Sequence, residues 1–90
     1  MTKKKVFLID PFDTITVSDL INQGKLPLRP FDEDDWKRVR KFEDMLSKGM
    51  DIPVIVIRRK KLNGEYYVID GDHRVLAARK LNKKIRAKFG

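Results

Sequence analysis

The run Ile52-Pro53-Val54-Ile55-Val56-Ile57 narrows the choice of fold more than any other stretch of this chain. It is apolar without interruption and mostly β-branched, and β-branched side chains favour a pleated backbone. Alternation would mark a strand with one wet face. A continuous run instead predicts a strand buried at the centre of a sheet. Such a strand cannot stand alone, so the rest of the chain must supply its neighbours.

Three other stretches can do so. Glu65 to Asp70 (EYYVID) follows the segment RRKKLNG, in which Asn63-Gly64 is a strong turn signal. A hairpin is expected, with Arg58, Arg59, Lys60 and Lys61 near its tip. Lys5 to Asp10 (KVFLID) is a short apolar run closed by Pro11, and Lys84 to Phe89 (KIRAKF) alternates. Both read as strands.

The helices have clear signals. In VSDLINQG, Ser18 is the expected N-cap and Gly24 the stop. KLPLRPFDEDD, with two prolines, reads as an extended connection. A longer helix follows, capped by Asp32, with Glu33, Asp34 and Asp35 at the positive end of its dipole. Trp36, Val39, Phe42, Met45 and Leu46 recur at helical spacing and form its core face, before Lys48-Gly49 ends it. A last helix is expected from about Asp72 to Leu81, with Asn82 as its C-terminal cap. Residues 1–90 thus form one α/β domain, a small mixed sheet flanked by helices.

With 90 residues, no cysteine and one histidine, the core is thin, and neither a disulfide nor a thiolate metal site can reinforce it. Thiol chemistry and a histidine-rich metal cluster are excluded as well. No apolar run approaches the 18 or so residues of a membrane span, and the N-terminal VFLIDPFD is too short and too acidic for a signal peptide. The expectation is a soluble cytoplasmic protein with no membrane partner. Charge is distributed unevenly. Residues 1–57 balance 10 Lys+Arg against 10 Asp+Glu, whereas residues 58–90 hold 11 against 3 and so carry the whole net charge of +8. A polyanionic partner, nucleic acid or nucleotide, fits that asymmetry.

The densest chemistry lies in Asp70-Gly71-Asp72-His73-Arg74, at the junction of an expected strand and helix. Gly71 permits a tight turn and the close approach of a ligand to the backbone. A helix N-terminus exposes unpaired N–H groups and favours anions. Arg74 adds a planar fork of donors and His73 another donor. Together these residues suit phosphate. They also suit a plainer role, with Asp72 as a helix cap and Gly71 serving only the turn.

The order of elements and these motifs resemble the ParB/sulfiredoxin superfamily across roughly residues 6–89. The resemblance rests on the proline-started strand PVIVIRRK, on GEYYVIDGDHRVLAARKL, and on LRPFDEDDWKRV, which is similar to the family's Arg-Pro stretch leading into a long helix. Sulfiredoxins place a catalytic cysteine where this chain has Asp72, so that activity is ruled out. ParB chromosome-segregation proteins read Gly-Glu-Arg-Arg there and use it in binding CTP. Asp72 resembles their glutamate, while His73 departs from their first arginine. Archaeal free serine kinases carry Asp-Gly-His-His-Arg, and some members of the superfamily are described as nucleases.

The resemblance implies that Gly71, His73 and Arg74 contact nucleotide phosphates. It also implies that Lys60 points to the same site, and that Arg29 lines the pocket. The implied cofactor is ATP, ADP or CTP with Mg²⁺, for which Asp70 is the candidate metal ligand. Asp70, Asp72 and His73 are the candidate catalytic residues for hydrolysis of a nucleoside triphosphate or for phosphotransfer. The alternative is a DNA-binding protein or ParB-like nuclease. It would use Arg58, Arg59, Lys60, Lys61, Lys83, Lys84, Arg86 and Lys88 along a phosphate backbone, with Tyr66 and Tyr67 as candidates for stacking. A protein-interaction module that keeps only the fold is a third option, and a homodimer is compatible with all three.

Overall fold

A computed structural model describes residues 5–59 and 64–90. The elements run β1 (Phe7–Ile9), a 3-10 turn (Pro11–Asp13), β2 (Thr14–Ile15), α1 (Val17–Asn22), α2 (Glu33–Ser47), β3 (Ile55–Arg59), β4 (Tyr66–Asp70), α3 (Asp72–Leu81) and β5 (Ile85–Phe89). The five strands form one sheet in the order β1-β5-β3-β4-β2. β3 is central, as its apolar run requires. It pairs antiparallel with β4 and parallel with β5. β1 is antiparallel to β5, and β2 parallel to β4, so the sheet is mixed.

The helical layer covers one face of the sheet. Ile9, Ile55, Ile57, Val68, Ile85 and Ala87 point toward it and join Ile52, with Val75 and Ala78 of α3, in a continuous core. Phe42, Met45 and Leu46 of α2 pack against that core as half-buried residues. Val39 of the same stripe is fully buried. Trp36, expected in the core, is instead 37% exposed. It stands at the N-terminal end of α2, edge-on to Phe31 with ring centroids 5.5 Å apart and with Lys80 Nζ 6.0 Å above its ring.

The helix ends follow the sequence with one exception. Asp32 caps α2 in a reciprocal box with Asp35. Asn82, with φ of 51°, closes α3 in the left-handed conformation. α1, however, begins at Val17 and is capped by Thr16, not Ser18. The Asp19 N–H donates to Thr16 Oγ1 (3.0 Å) and the Thr16 N–H donates back to Asp19 Oδ2 (2.8 Å). That box satisfies two N–H groups and leaves Ser18 buried inside the helix.

The central run also differs from expectation in its cover. Ile55 and Ile57 are fully buried, but Val54 and Val56 are only half-buried, because no element of the described residues packs on the far side of the sheet.

Candidate functional site

β4 carries the chain to Asp70 through a register irregularity opposite Val56 and Ile57, and α3 begins two residues later. Gly71 makes that turn. Its φ of 115° lies where side chains are rarely tolerated, and a Cβ there would stand 2.6 Å from Ile55 Cγ2. Glycine is therefore required by both backbone and packing. Gly71 is also the N-cap of α3, and it brings no side-chain cap, whereas α1 and α2 each have a complete capping box. The first turn of α3 thus has no side-chain cap on its N–H groups at the positive end of its dipole, and its one acidic residue, Asp72, is turned toward α1.

The side chains that follow Gly71 point in different directions. Asp72 turns toward α1, where its Oδ2 accepts from the Val17 N–H (3.1 Å). Burial pushes the Asp72 carboxyl above its ordinary value, and hydrogen bonds from Val17 and Ser18 hold it back only in part. His73 is clamped from α2: its Nε2 lies 2.9 Å from Asp35 Oδ1, and its ring stacks on Phe31 with centroids 4.8 Å apart and planes 13° from parallel. The hydrogen bond from His73, helped by the Asp32 backbone, holds the Asp35 carboxyl below the usual range.

Arg74 reaches the lead-in to β3. Its Nη1 donates to the Val54 carbonyl (2.9 Å) and the Pro53 carbonyl (3.2 Å), and Nη2 lies 3.5 Å from Asp70 Oδ2. Its side chain is 15% exposed, while that of Asp70 is 68% exposed. Arg29 pairs with Asp32 (3.2 Å), the cap of α2. The Arg-Pro stretch and the Asp70–Arg74 turn therefore meet through Phe31, Asp35 and His73. Among the described residues no three His, Cys, Asp or Glu side chains gather where a metal could sit, and Asp70 is the exposed carboxylate at the turn.

The basic residues do not share one surface. Register places Arg58, Arg86 and Lys88 on the sheet face away from the helices. Arg59 lies over the Tyr66 ring at 5.7 Å. Lys83 donates to the Leu46 carbonyl (2.8 Å) and Lys84 lines recesses of about 170 and 100 Å³ at the end of the sheet, both away from the Asp70–Arg74 turn. Lys60 and Lys61 lie outside the described residues.

Two features escape the sequence reading. One is the Phe31–Asp35 clamp on His73, whose only trace is the Asp-x-x-Asp spacing of residues 32 and 35. The other is Arg79. It makes a two-pronged pair with Asp19 (2.8 Å on each prong) and donates to the Pro11 and Thr14 carbonyls at 3.1 and 2.8 Å. Burial pushes Asp19 up, yet the Arg79 hydrogen bonds and the Thr16 N–H prevail and leave it lowered.

The family profile of the ParB N-terminal domain matches residues 2–89. The chain belongs to that family. The ParB N-terminal domain seen here is similar to the C-terminally truncated chromosome-partitioning protein ParB from Caulobacter crescentus, whose crystal structure was determined as a complex with CTP-γ-S. The TM-score is 0.65 at 20% identity, over 96% of this chain and 44% of that one. The likeness shows the fold, and this chain spans less than half the length of that protein. No curated protein matches its sequence. Among the described residues no helix is long and apolar enough to cross a membrane.

Proposed function

We propose that this ParB N-terminal domain binds the phosphates of a nucleotide at the N-terminus of α3. The observation that carries the proposal is the Gly71 junction: a ten-residue helix begins at a glycine, without a side-chain cap, beside the Arg-Pro stretch. A phosphate there takes the place of the missing cap. The CTP analogue bound by the similar ParB protein supports the same reading.

In this assignment the N–H groups of the first turn meet the phosphates. His73 keeps one ring nitrogen on Asp35 and offers the other. Arg29 supplies mobile positive charge from its exposed position. Arg74 braces the turn from beneath through its bonds to Pro53 and Val54, so its first contribution is to the shape of the cradle. Mg²⁺ commonly takes one or two carboxylates and completes its shell with phosphate oxygens and water. Asp70 alone therefore fits a metal that arrives with the nucleotide. Turnover, by hydrolysis or phosphotransfer, would draw on Asp70 and His73, because Asp72 faces α1.

The test is thermal unfolding with CTP, ATP and ADP, with and without Mg²⁺, against the free nucleosides. At ten times Kd a ligand adds about 1.4 kcal/mol, roughly 6–11 °C in a domain of this size. Nucleotides should raise the midpoint and nucleosides should not, and release of inorganic phosphate reads turnover. If millimolar nucleotide leaves the midpoint unmoved, the proposal fails. The division of the basic residues among several surfaces gives the DNA alternative less support.

A further inference from the structure

The sheet has a second face, and its residues are unlike those of a face that meets only water. Outward positions on such a sheet are ordinarily polar. Here Leu8, Val56, Ile69 and Tyr67 point outward: Leu8 pairs with Arg86, Val56 with Lys88 and Tyr67 with Arg58. Leu8 is 64% exposed and Ile69 50%. Between these apolar side chains stand the three cations Arg58, Arg86 and Lys88. The carboxylate that register puts beside Val56, Asp70, is held by Arg74. The central run is thus apolar on both sides from Val54 to Ile57, and the chain's described residues cover one.

We propose that this open face docks an acidic, amphipathic segment of a partner protein. From Leu8 on β1 to Ile69 on β4 three strand spacings give a width of about 14 Å, and a five-residue strand a length of about 17 Å. That area accepts one helix about 10–12 Å across. The aliphatic residues select a ligand with apolar side chains of its own, and the cations select one with carboxylates flanking them. Nucleic acid matches less well. Three cations meet at most about three phosphates, and Leu8, Val56 and Ile69 would then lie against a polar backbone. A recess of about 170 Å³ at one end, lined by Leu8, Leu46, Met50, Ile52 and Ile85 together with Asp51, Lys84 and Arg86, can take one apolar side chain of the segment. A patch of this size fits a transient interface rather than a permanent one.

The experiment uses the 90-residue chain and a fluorescent 18-residue helical peptide with leucines on one face and glutamates beside them. Controls are the same peptide with lysine for glutamate, a 20-nucleotide single strand, and sedimentation of the protein alone. The acidic peptide should bind and the basic one should not. The double variant Arg58→Glu, Lys88→Glu and, separately, Ile69→Ser should each weaken binding at least tenfold while leaving the thermal midpoint and any nucleotide response intact. Ile69 and Lys88 lie outside the α3 cradle, so loss of nucleotide binding in wild type would leave this proposal standing. No peptide binding at about 100 μM overturns it, as does binding indifferent to both variants. Tighter binding of the oligonucleotide through the same residues would make this a nucleic-acid face, and self-association abolished by Ile69→Ser would make the occupant a second copy. Either result overturns the proposal as stated.

Discussion

Asp72 illustrates how one carboxyl can cap a neighbouring helix and still carry a penalty. Its oxygen receives the Val17 N–H, but burial raises its pKa. An acid whose folded pKa is raised costs stability once the pH climbs past its unfolded value, about 3.9, and the full cost is present above the folded value. Asp72→Asn keeps an acceptor for Val17 and removes the charge. It should be neutral or stabilising at pH 7 and flatten the fall in stability above pH 4, as measured by urea unfolding. Asp72→Ala loses the acceptor and should cost about 0.5–2 kcal/mol. Asp19 has the opposite sign. Its lowered pKa adds stability that is present above about pH 4 and disappears as the pH falls through the folded value. Removing its partner is severe because Asp19 would be left half-buried and unpaired. Arg79→Ala should cost roughly 2–4 kcal/mol, somewhat less than a fully buried pair, by the same assay. Gly71→Ala combines a strained φ with a contact on Ile55 and should cost at least about 1–2 kcal/mol. If Gly71→Ala kept full stability, the turn would have another conformation and the phosphate cradle would lose its basis.

At the scale of elements, α2 separates residues that share a stripe. Val39 has no exposure at all, whereas Trp36 at the helix start is partly open. Val39→Ala removes two buried methyl groups and should cost roughly 2–3 kcal/mol, read from denaturant midpoints. Trp36→Ala should cost less than a buried aromatic, about 1–2 kcal/mol, despite its larger side chain. The 3.6-residue period shows which side of α2 faces inward, but not how closely each turn is covered, and Trp36 at the helix start, beside the Phe31 ring edge and the Lys80 ammonium, stays partly open. The same distinction explains what could be read elsewhere. Strands and helix ends follow from β-branching, turn residues and caps, which act within a few positions, so β4 and α3 fall where their residues predict, whereas β3 begins three residues after Ile52 and runs on through Arg58 and Arg59. Thr16-x-x-Asp19 forms a capping box, but Ser18 offers the same oxygen two residues later, so the local pattern alone does not choose between them. The Arg79–Asp19 pair and the His73–Asp35 clamp join residues 60 and 38 positions apart, and no local period encodes them. The cover of β3 is a matter of layers. A continuous apolar run says that both sides avoid water, not what lies on the second.

For the whole molecule the decisive quantity is how its +8 charge is deployed. A polyanion that ran along the whole basic third, neutralising about five phosphates, would give a slope of about −4.5 in log affinity against log salt. The described residues do not offer that track. Of the expected set, Arg58, Arg86 and Lys88 share the open face, Arg59 lies at Tyr66 and Lys83 at the end of α2. Duplex DNA held by the three facing cations should show a slope no steeper than about −2.7. A nucleotide at α3 meets backbone N–H groups and a few side chains, so its affinity should respond less to salt. His73→Ala should weaken nucleotide binding several-fold and leave DNA binding unchanged. Replacing Arg58 and Lys88 with Ser should do the reverse. The measurement is a titration of both ligands from 50 to 300 mM salt on wild type and both variants. A DNA slope near −4.5 would mean that Lys60 and Lys61, which lie outside the described residues, join the others on one polyanion. The basic third would then be a nucleic-acid surface in its own right, and the nucleotide site a separate device on the same domain.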